Sequence, residues 1–286
     1  MPYAQADGAK LYYEEAGGGY PIVFVHEFGA DLREWETQLR WFARYYRCIA
    51  FNARGYPPSE VPTEPAAYGY ERSAEDIGAV MRATGVERAH VVGLSMGAYA
   101  ALIFGLRHPG MASSLVIAGC GSGSLPSGRA AAQANARATA DRFLTDGSAA
   151  LAQSMGVSGT RVQLLNKDPR GWASFVQNLS EHSAEGSAST MRYFQGARPS
   201  LFDFAADFAK MTVPVLLAVG DEDEPCLEVN LFLKRTIPTS GLWMAPRTGH
   251  AINLEEPAAF NHMAQEFFGT VERGKWGTRD PRSVVG

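Results

Sequence analysis

The chain has 286 residues, of which 46% are hydrophobic and 20% are charged, and its formal net charge is −4. This composition lacks the basic excess typical of nucleic-acid-binding proteins, and no apolar run approaches the ~18 residues that a membrane-spanning helix needs. We therefore expect neither nucleic acid nor a membrane among the partners. The length suits one large core with an inserted segment.

The cysteines and the start of the chain indicate the compartment. Cys48, Cys120 and Cys226 are odd in number and far apart, so a disulfide framework is not expected and each is interpreted as a small buried residue. No apolar stretch typical of a signal peptide follows Met1. Together these features predict a cytoplasmic protein.

The first part of the chain alternates between strand-like and helix-like segments. Apolar runs that end in turn signals predict strands at residues 10–13, 22–25, 48–51, 89–92 and 114–118. Helical spacing of apolar residues predicts a helix over residues 35–45, and a second helix is expected to begin with Ser73 as its N-cap. Such alternation favours a parallel sheet with helices on both faces.

One pentapeptide, Gly93-Leu94-Ser95-Met96-Gly97, lies between a predicted strand and a helix-like run over residues 98–107. The pattern G-x-S-x-G in this context is typical of a nucleophile elbow. The turn is tight enough to require small residues two positions before and after the serine, and glycine meets that need. The hydroxyl of Ser95 is then expected to stand above the sheet edge, over the N-terminus of the next helix.

The alternation ends at about residue 122, and helical runs follow one another up to about residue 208. Strand-like patterns then return at residues 213–220 and 242–244. The first of these is followed by Asp221-Glu222-Asp223, and the second precedes Gly249-His250. A serine, an acid and a histidine therefore follow one another in the order that the elbow motif requires.

With these three motifs, the chain resembles serine hydrolases of the α/β-hydrolase fold from about Tyr3 to about Val271. The resemblance implies an α/β fold with a mostly parallel sheet of about eight strands, helices on both faces and a helical cap. Residues 1–121 and 209–286 would form the core, and residues 122–208 would form the cap between the sixth and seventh strands. The family pattern G-x-x-D then assigns the acid to Asp223, with Asp221 as the fallback.

The resemblance also implies the other site residues. Ser95, His250 and Asp223 would be catalytic, and the backbone N–H groups of Phe28 and Met96 would form the oxyanion hole. Aromatic side chains of the cap are candidates for substrate binding, namely Trp172, Tyr193 and Phe194.

Glu27 departs from the family pattern, because it occupies the position where similar hydrolases carry glycine. One interpretation turns its side chain away from the site to pair with a cation, with Arg54 as the first candidate. The alternative is that Glu27 binds substrate or a water molecule. A charged carboxylate beside the oxyanion would oppose catalysis, so the first interpretation is favoured.

The sequence thus predicts a hydrolase that cleaves a carboxylic ester or lactone of a small molecule through an acyl-Ser95 intermediate, without a cofactor or metal. His26-Glu27 lacks the second histidine of H-E-x-x-H, so no zinc site is expected. The same triad serves hydrolases that cleave C–C bonds of ring-cleavage products and some amidases, and a non-catalytic receptor of this fold is a further alternative. The oligomeric state stays open between a monomer and a homodimer.

Overall fold

The computed structural model describes residues 2–283 and is built around one eight-stranded sheet. The strands are β1 Tyr3–Ala6, β2 Ala9–Gly17, β3 Pro21–Val25, β4 Arg47–Phe51, β5 Ala89–Leu94, β6 Ala112–Ala118, β7 Val215–Gly220 and β8 Ser240–Ala245. Their order in the sheet is β1-β2-β4-β3-β5-β6-β7-β8. The two ends of the predicted core, residues 1 and 284–286, lie outside the described residues.

Most of the sheet is parallel, as the sequence predicted. Strands β1 and β2 pair antiparallel with each other, β2 pairs antiparallel with β4, and every other neighbouring pair is parallel. The central strands β5 and β6 are buried along their whole length, as expected for parallel strands covered on both faces. The short edge strand β1 carried no signal that the sequence analysis recognised.

Helices cover both faces of the sheet. They are α1 Glu36–Phe42, α2 Tyr70–Ala83, α3 Met96–Arg107, α4 Arg129–Gly156, α5 Val162–Lys167, α6 Pro169–Ser180, α7 Ala184–Ser189, α8 Ala205–Phe208, α9 Glu224–Thr236, α10 Ile252–Glu255 and α11 Pro257–Glu272. Helices α2 and α3 contribute to the apolar core on one face, and α1 and α11 contribute to the core on the other. No helix within residues 2–283 is both long and apolar enough to cross a membrane.

The start of α2 corrects one expectation. The helix begins at Tyr70, and the residue before it is Gly69, whose φ of 134° suits glycine. Ser73 lies inside the helix and its hydroxyl donates to the carbonyl of Gly69 at 3.1 Å. The sequence missed the earlier start because Gly69 offers no side-chain cap.

All residues from 122 to 208, which we call the inserted segment, lie between β6 and β7. The segment contains α4 to α8 and a π-helical turn at Thr190–Gln195. Helix α4 packs against α6 and α7, and it bends at Gly147, where φ is 79° and ψ is 166°. The chain is therefore helical where the sequence predicted helices, while the role of the segment as a cap remains a proposal.

The inserted segment contacts the rest of the chain through backbone as well as side chains. At the start of α7, Gly186 packs on Gly55 so closely that a Cβ at either glycine would crowd the other residue's backbone. The hydroxyl of Tyr99 in α3 donates to the carbonyl of Pro199 at 2.9 Å. These contacts hold the segment against the loop after β4 and against α3.

Candidate active site

Ser95 occupies the turn between β5 and α3. Its φ is 52° and its ψ is −107°, a conformation that costs free energy in a non-glycine residue and is typical of functional sites. A Cβ at Gly97 would collide with the carbonyl of Val25, and one at Gly93 would collide with the backbone of Gly97. The two glycines thus permit the tight turn that the sequence predicted.

His250 and Asp223 meet in the loops after β8 and β7. Nδ1 of His250 lies 2.9 Å from Oδ2 of Asp223, and both residues are buried. Asp221, the fallback acid, is exposed and accepts a hydrogen bond from the N–H of Thr248 instead. Of the two aspartates, the structure therefore brings Asp223 to the histidine.

Charges around the imidazole control its proton affinity. Burial by itself would lower the pKa of His250, but the charge and hydrogen bond of Asp223 outweigh burial and raise the pKa above its ordinary value. Glu27 adds to the increase, and Arg161 opposes it. The site therefore favours the imidazolium form more than an isolated histidine does.

Ser95 and His250 line one cavity of about 200 Å³. The cavity lies between the loops after the parallel strands and the inserted segment. Its other lining residues are Glu27, Phe28, Ser122, Gly123, Arg129, Ala132, Asn135, Ala136, Met155, Thr160, Arg161, Met191, Gln195 and Arg198. Binding at the carboxyl ends of the strands is usual in α/β proteins.

Within this cavity, Glu27 is held by a cation that the sequence analysis did not identify. Oε1 of Glu27 lies 2.5 Å from Nη2 of Arg161, and Oε2 lies 3.6 Å from Nε2 of His250. The prediction that Arg54 pairs with Glu27 is wrong, because the Arg54 guanidinium makes a buried bidentate pair with Asp76. The side chain of Glu27 thus faces the histidine inside the cavity, so the expectation that it turns away from the site is also wrong, although a cation, Arg161, does pair with it.

Comparison with known proteins identifies the family of the chain. The profile described as the alpha/beta hydrolase fold matches residues 20–257. The chain belongs to the α/β-hydrolase family. It is 27% identical to a putative carbamate hydrolase, RutD, of Azorhizobium caulinodans over 96% of this chain and all of that protein.

Two further relatives of this hydrolase are also enzymes by name. A 3-oxoadipate enol-lactonase of Acinetobacter baylyi is 26% identical over 85% of this chain and 86% of that protein. A thermophilic esterase from Thermogutta terrifontis superposes with a TM-score of 0.81 at 25% identity, covering 92% of this chain and 94% of the esterase. The family and the names of these relatives identify the chain as a hydrolase. The relatives differ from one another in the bond that their names say they cleave.

Two buried residues, His26 and Glu34, form hydrogen bonds with the backbone of Glu27 in the loop after β3. The imidazole of His26 lies 2.7 Å from the carbonyl of Glu27 through Nδ1 and accepts from the N–H of Ala53 through Nε2. Burial lowers the pKa of His26 to about 4, so the ring is neutral and can link the two loops by hydrogen bonds. Glu34 accepts from the N–H of Glu27 at 3.1 Å, and burial followed by the Glu27 charge raises the pKa of Glu34 well above its usual range.

The aromatic candidates in the inserted segment do not line the cavity with Ser95, so their expected contact with substrate is corrected. Trp172 donates from Nε1 to the carbonyl of Gly156 at 2.7 Å. The ring of Phe194 is buried against Tyr99, and Tyr193 lies beside Tyr68 on another face. Packing inside the segment and against the core accounts for these side chains.

One group of potential metal ligands coincides with the candidate triad. Asp223, Cys226 and His250 each offer a ligand atom within 4.8 Å of the others. Burial raises the pKa of the Cys226 thiol well above its usual value, which keeps it protonated and a poor ligand, while Asp223 already binds Nδ1 of His250. The donor set fits a hydrogen-bonded acid and histidine better than a metal centre.

Sequence reasoning missed Arg161, Arg198, Arg129 and Glu34. The three arginines lie in the inserted segment, and nothing in their local sequence distinguishes them from surface arginines. Glu34 lies in a single 3₁₀ turn at Leu32–Trp35, where an acidic residue is normally exposed.

Proposed function

We propose that this hydrolase cleaves a carboxylic ester or lactone of a small molecule through an acyl-Ser95 intermediate. One observation carries the proposal: the strained Ser95 turn shares a cavity with His250, whose far nitrogen is hydrogen-bonded to the buried Asp223. A serine hydroxyl is a weak nucleophile, and an oriented imidazole is the group that activates it.

In the proposed reaction, Oγ of Ser95 attacks the acyl carbon while Nε2 of His250 takes the hydroxyl proton. The resulting imidazolium is stabilised by Asp223 at Nδ1 and by the charge of Glu27. The tetrahedral intermediate then collapses, and His250 protonates the departing alcohol oxygen. Water attacks the acyl-enzyme with His250 again as the base, which releases the acid and restores Ser95.

Backbone donors are proposed to hold the oxyanion. Met96 is the first residue of α3, where the N–H has no preceding helical carbonyl to bond. Phe28 lines the cavity and follows β3, where the fold supplies the second donor. Removing one such donor in other serine hydrolases costs about 3 kcal/mol of transition-state stabilisation. Glu27 fits beside these donors because Arg161 neutralises it.

The relatives support an acyl bond as the target, since their names include an enol-lactonase, an esterase and a carbamate hydrolase. The proposed test is a screen of purified protein with p-nitrophenyl esters, lactones, amides and vinylogous diketones. We expect turnover of esters or lactones, and labelling of Ser95 by a fluorophosphonate.

Variants of the candidate triad complete the test. Ser95→Ala should abolish both labelling and turnover, and Asp223→Asn should lower kcat by about 10⁴-fold. Asp221→Asn is the matched control and should retain wild-type rates. Full activity in Ser95→Ala would disprove the proposal, and a loss in Asp221→Asn without one in Asp223→Asn would overturn the choice of acid.

A further inference from the structure

The cavity that contains Ser95 is lined by an excess of positively charged side chains, although the chain as a whole has a negative net charge. Three arginines and one glutamate line it, whereas the whole chain has a net charge of −4. Arg161 is neutralised by Glu27. Arg129 and Arg198 make no ion pair with any carboxylate among residues 2–283, so two positive charges remain uncompensated.

Arg198 is the more unusual of the two. It is only 6% exposed, and its Nη2 donates to the carbonyl of Ser122 at 2.8 Å. Its Nε finds no acceptor among the described residues, although it is buried. Burial lowers the pKa of Arg198, but an arginine stays charged in proteins. A buried charge without a counter-charge is costly, which makes it a candidate for ligand binding.

Aromatic rings fix the plane of this guanidinium. Its central carbon lies 4.6 Å from the ring centre of Tyr99 and 5.6 Å from that of Phe194. Cation–π contacts of this kind hold the charge in place without neutralising it. The fork of donors is therefore preorganised, as bidentate recognition of a carboxylate requires.

Arg129 adds a second donor group. Its Nη1 donates to the carbonyl of Gly123 at 2.9 Å, next to the Ser122 carbonyl that holds Arg198. Two like charges anchored on consecutive carbonyls repel each other, and the charge of Arg129 contributes to the lowered pKa of Arg198. An anion bound between them would relieve both the repulsion and the desolvation.

We propose that Arg198 and Arg129 bind a carboxylate of the substrate, so that the enzyme acts on anionic esters or lactones. This inference rests on the proposed acyl transfer at Ser95 and names its substrate class. It assigns a function to the one buried guanidinium of the cavity that has no carboxylate partner within residues 2–283.

Two matched esters test the inference. Mono-p-nitrophenyl glutarate carries a free carboxylate, and p-nitrophenyl methyl glutarate has nearly the same shape without the charge. In the wild type we expect kcat/KM to favour the anionic ester, mainly through a lower KM. Arg198→Met should reduce that preference by about 100-fold, and Arg129→Met by about 10-fold.

Arg137→Met is the matched control for Arg129→Met, because Arg137 is an exposed arginine on the same helix, α4. This variant should leave the preference for the anionic ester unchanged. Should Arg198→Met fail to fold, Arg198→Lys keeps the charge but loses the planar fork and should still reduce the preference. Equal use of both esters by the wild type, or a preference unchanged in Arg198→Lys and Arg129→Met, would overturn the inference.

Direct binding separates this inference from the proposed function. Glutarate should bind Ser95→Ala protein in calorimetry and should bind at least tenfold more weakly when Arg129→Met is added. Hydrolysis of the neutral ester without glutarate binding would refute the anion site and leave the acyl transfer standing. Glutarate binding without hydrolysis of either ester or labelling of Ser95 would support the anion site and refute the acyl transfer.

Discussion

Two buried arginine–carboxylate pairs lie within residues 2–283, and they differ in how many of their polar atoms form hydrogen bonds. Arg54 bonds both oxygens of Asp76, at 2.8 and 2.6 Å, and its Nη1 and Nη2 also donate to the carbonyls of Ala67 and Asp7. Arg161 contacts Glu27 through one nitrogen, and its Nε lacks an acceptor among the described residues.

The difference separates a structural pair from one that serves the site. When every nitrogen of a buried guanidinium has an acceptor in the protein, as in Arg54, the pair holds the chain in place. The incomplete pair leaves Oε2 of Glu27 facing His250 in the cavity. Mutations should therefore affect stability at the first pair and the pH dependence of the reaction at the second.

The largest expected effect is at the satisfied pair. Asp76→Ala leaves the buried Arg54 without its counter-charge and should lower the free energy of unfolding by about 3–5 kcal/mol, measured by urea denaturation. Glu75→Ala removes a neighbouring, partly exposed partner of Arg107 and should cost less than about 1 kcal/mol. Equal losses in the two variants would contradict the structural assignment.

Arg161→Met should cost less stability, about 2 kcal/mol, because Glu27 borders a cavity and can regain water. Arg161 lowers the pKa of His250, so its removal raises that pKa further. The histidine must be neutral to act as a base, so the acid limb of kcat/KM should move to higher pH. Arg192→Met, which removes an exposed pair in the same segment, should not shift the limb.

Glu27→Gln should shift the same limb in the opposite direction. The Glu27 charge raises the pKa of His250, so its loss lowers that pKa and moves the acid limb of kcat/KM to lower pH. The free energy of unfolding should fall by about 1 kcal/mol, and kcat on the plateau should fall by less than about tenfold, since the amide keeps the shape of the carboxylate. A loss beyond about 100-fold would instead make Glu27 an acid–base catalyst. Asp221→Asn is the control for charge alone.

The smallest effect is expected outside the cavity. Trp172→Phe removes the hydrogen bond to Gly156 and should cost about 1 kcal/mol of unfolding free energy, with unchanged relative rates across a series of esters. Trp41→Phe breaks a similar bond at the surface and should cost less. An altered preference among the esters in Trp172→Phe would indicate that the Trp172 side chain contacts the substrate after all.

Local patterns in the sequence were enough to predict much of the fold and the loops that carry Ser95, Asp223 and His250. The elbow glycines and the buried strands each express a short-range requirement, so each is readable from a few neighbouring residues, whereas the choice of Asp223 came from the resemblance to the family pattern G-x-x-D. The short strand β1 was not readable in this way, because an edge strand of four residues depends on its partner β2.

The charged partners could not be read, because they join distant parts of the chain. Arg161 lies 134 positions after Glu27 in the sequence (161 − 27). Arg54, the candidate that lies nearer in the sequence, pairs with Asp76 instead. The aromatic candidates failed for a similar reason: an aromatic residue in a helix packs wherever the neighbouring helices leave an apolar surface. The packing of the whole inserted segment, in which α4 contacts both α6 and α7, decides which side chains reach the cavity.

The contact between Gly55 and Gly186 bears on how this enzyme could change its substrates over evolution. Helix α7 already rests on backbone there, and the π-helical turn that continues it carries Met191 and Gln195 into the cavity. That wall cannot move inward, and any side chain at Gly186 would push it out. Helix α4 forms another wall with Ala132 and Ala136, whose side chains can grow into the cavity without moving the backbone. Natural or selected variants with new substrate ranges should therefore differ at α4 before they differ at α7.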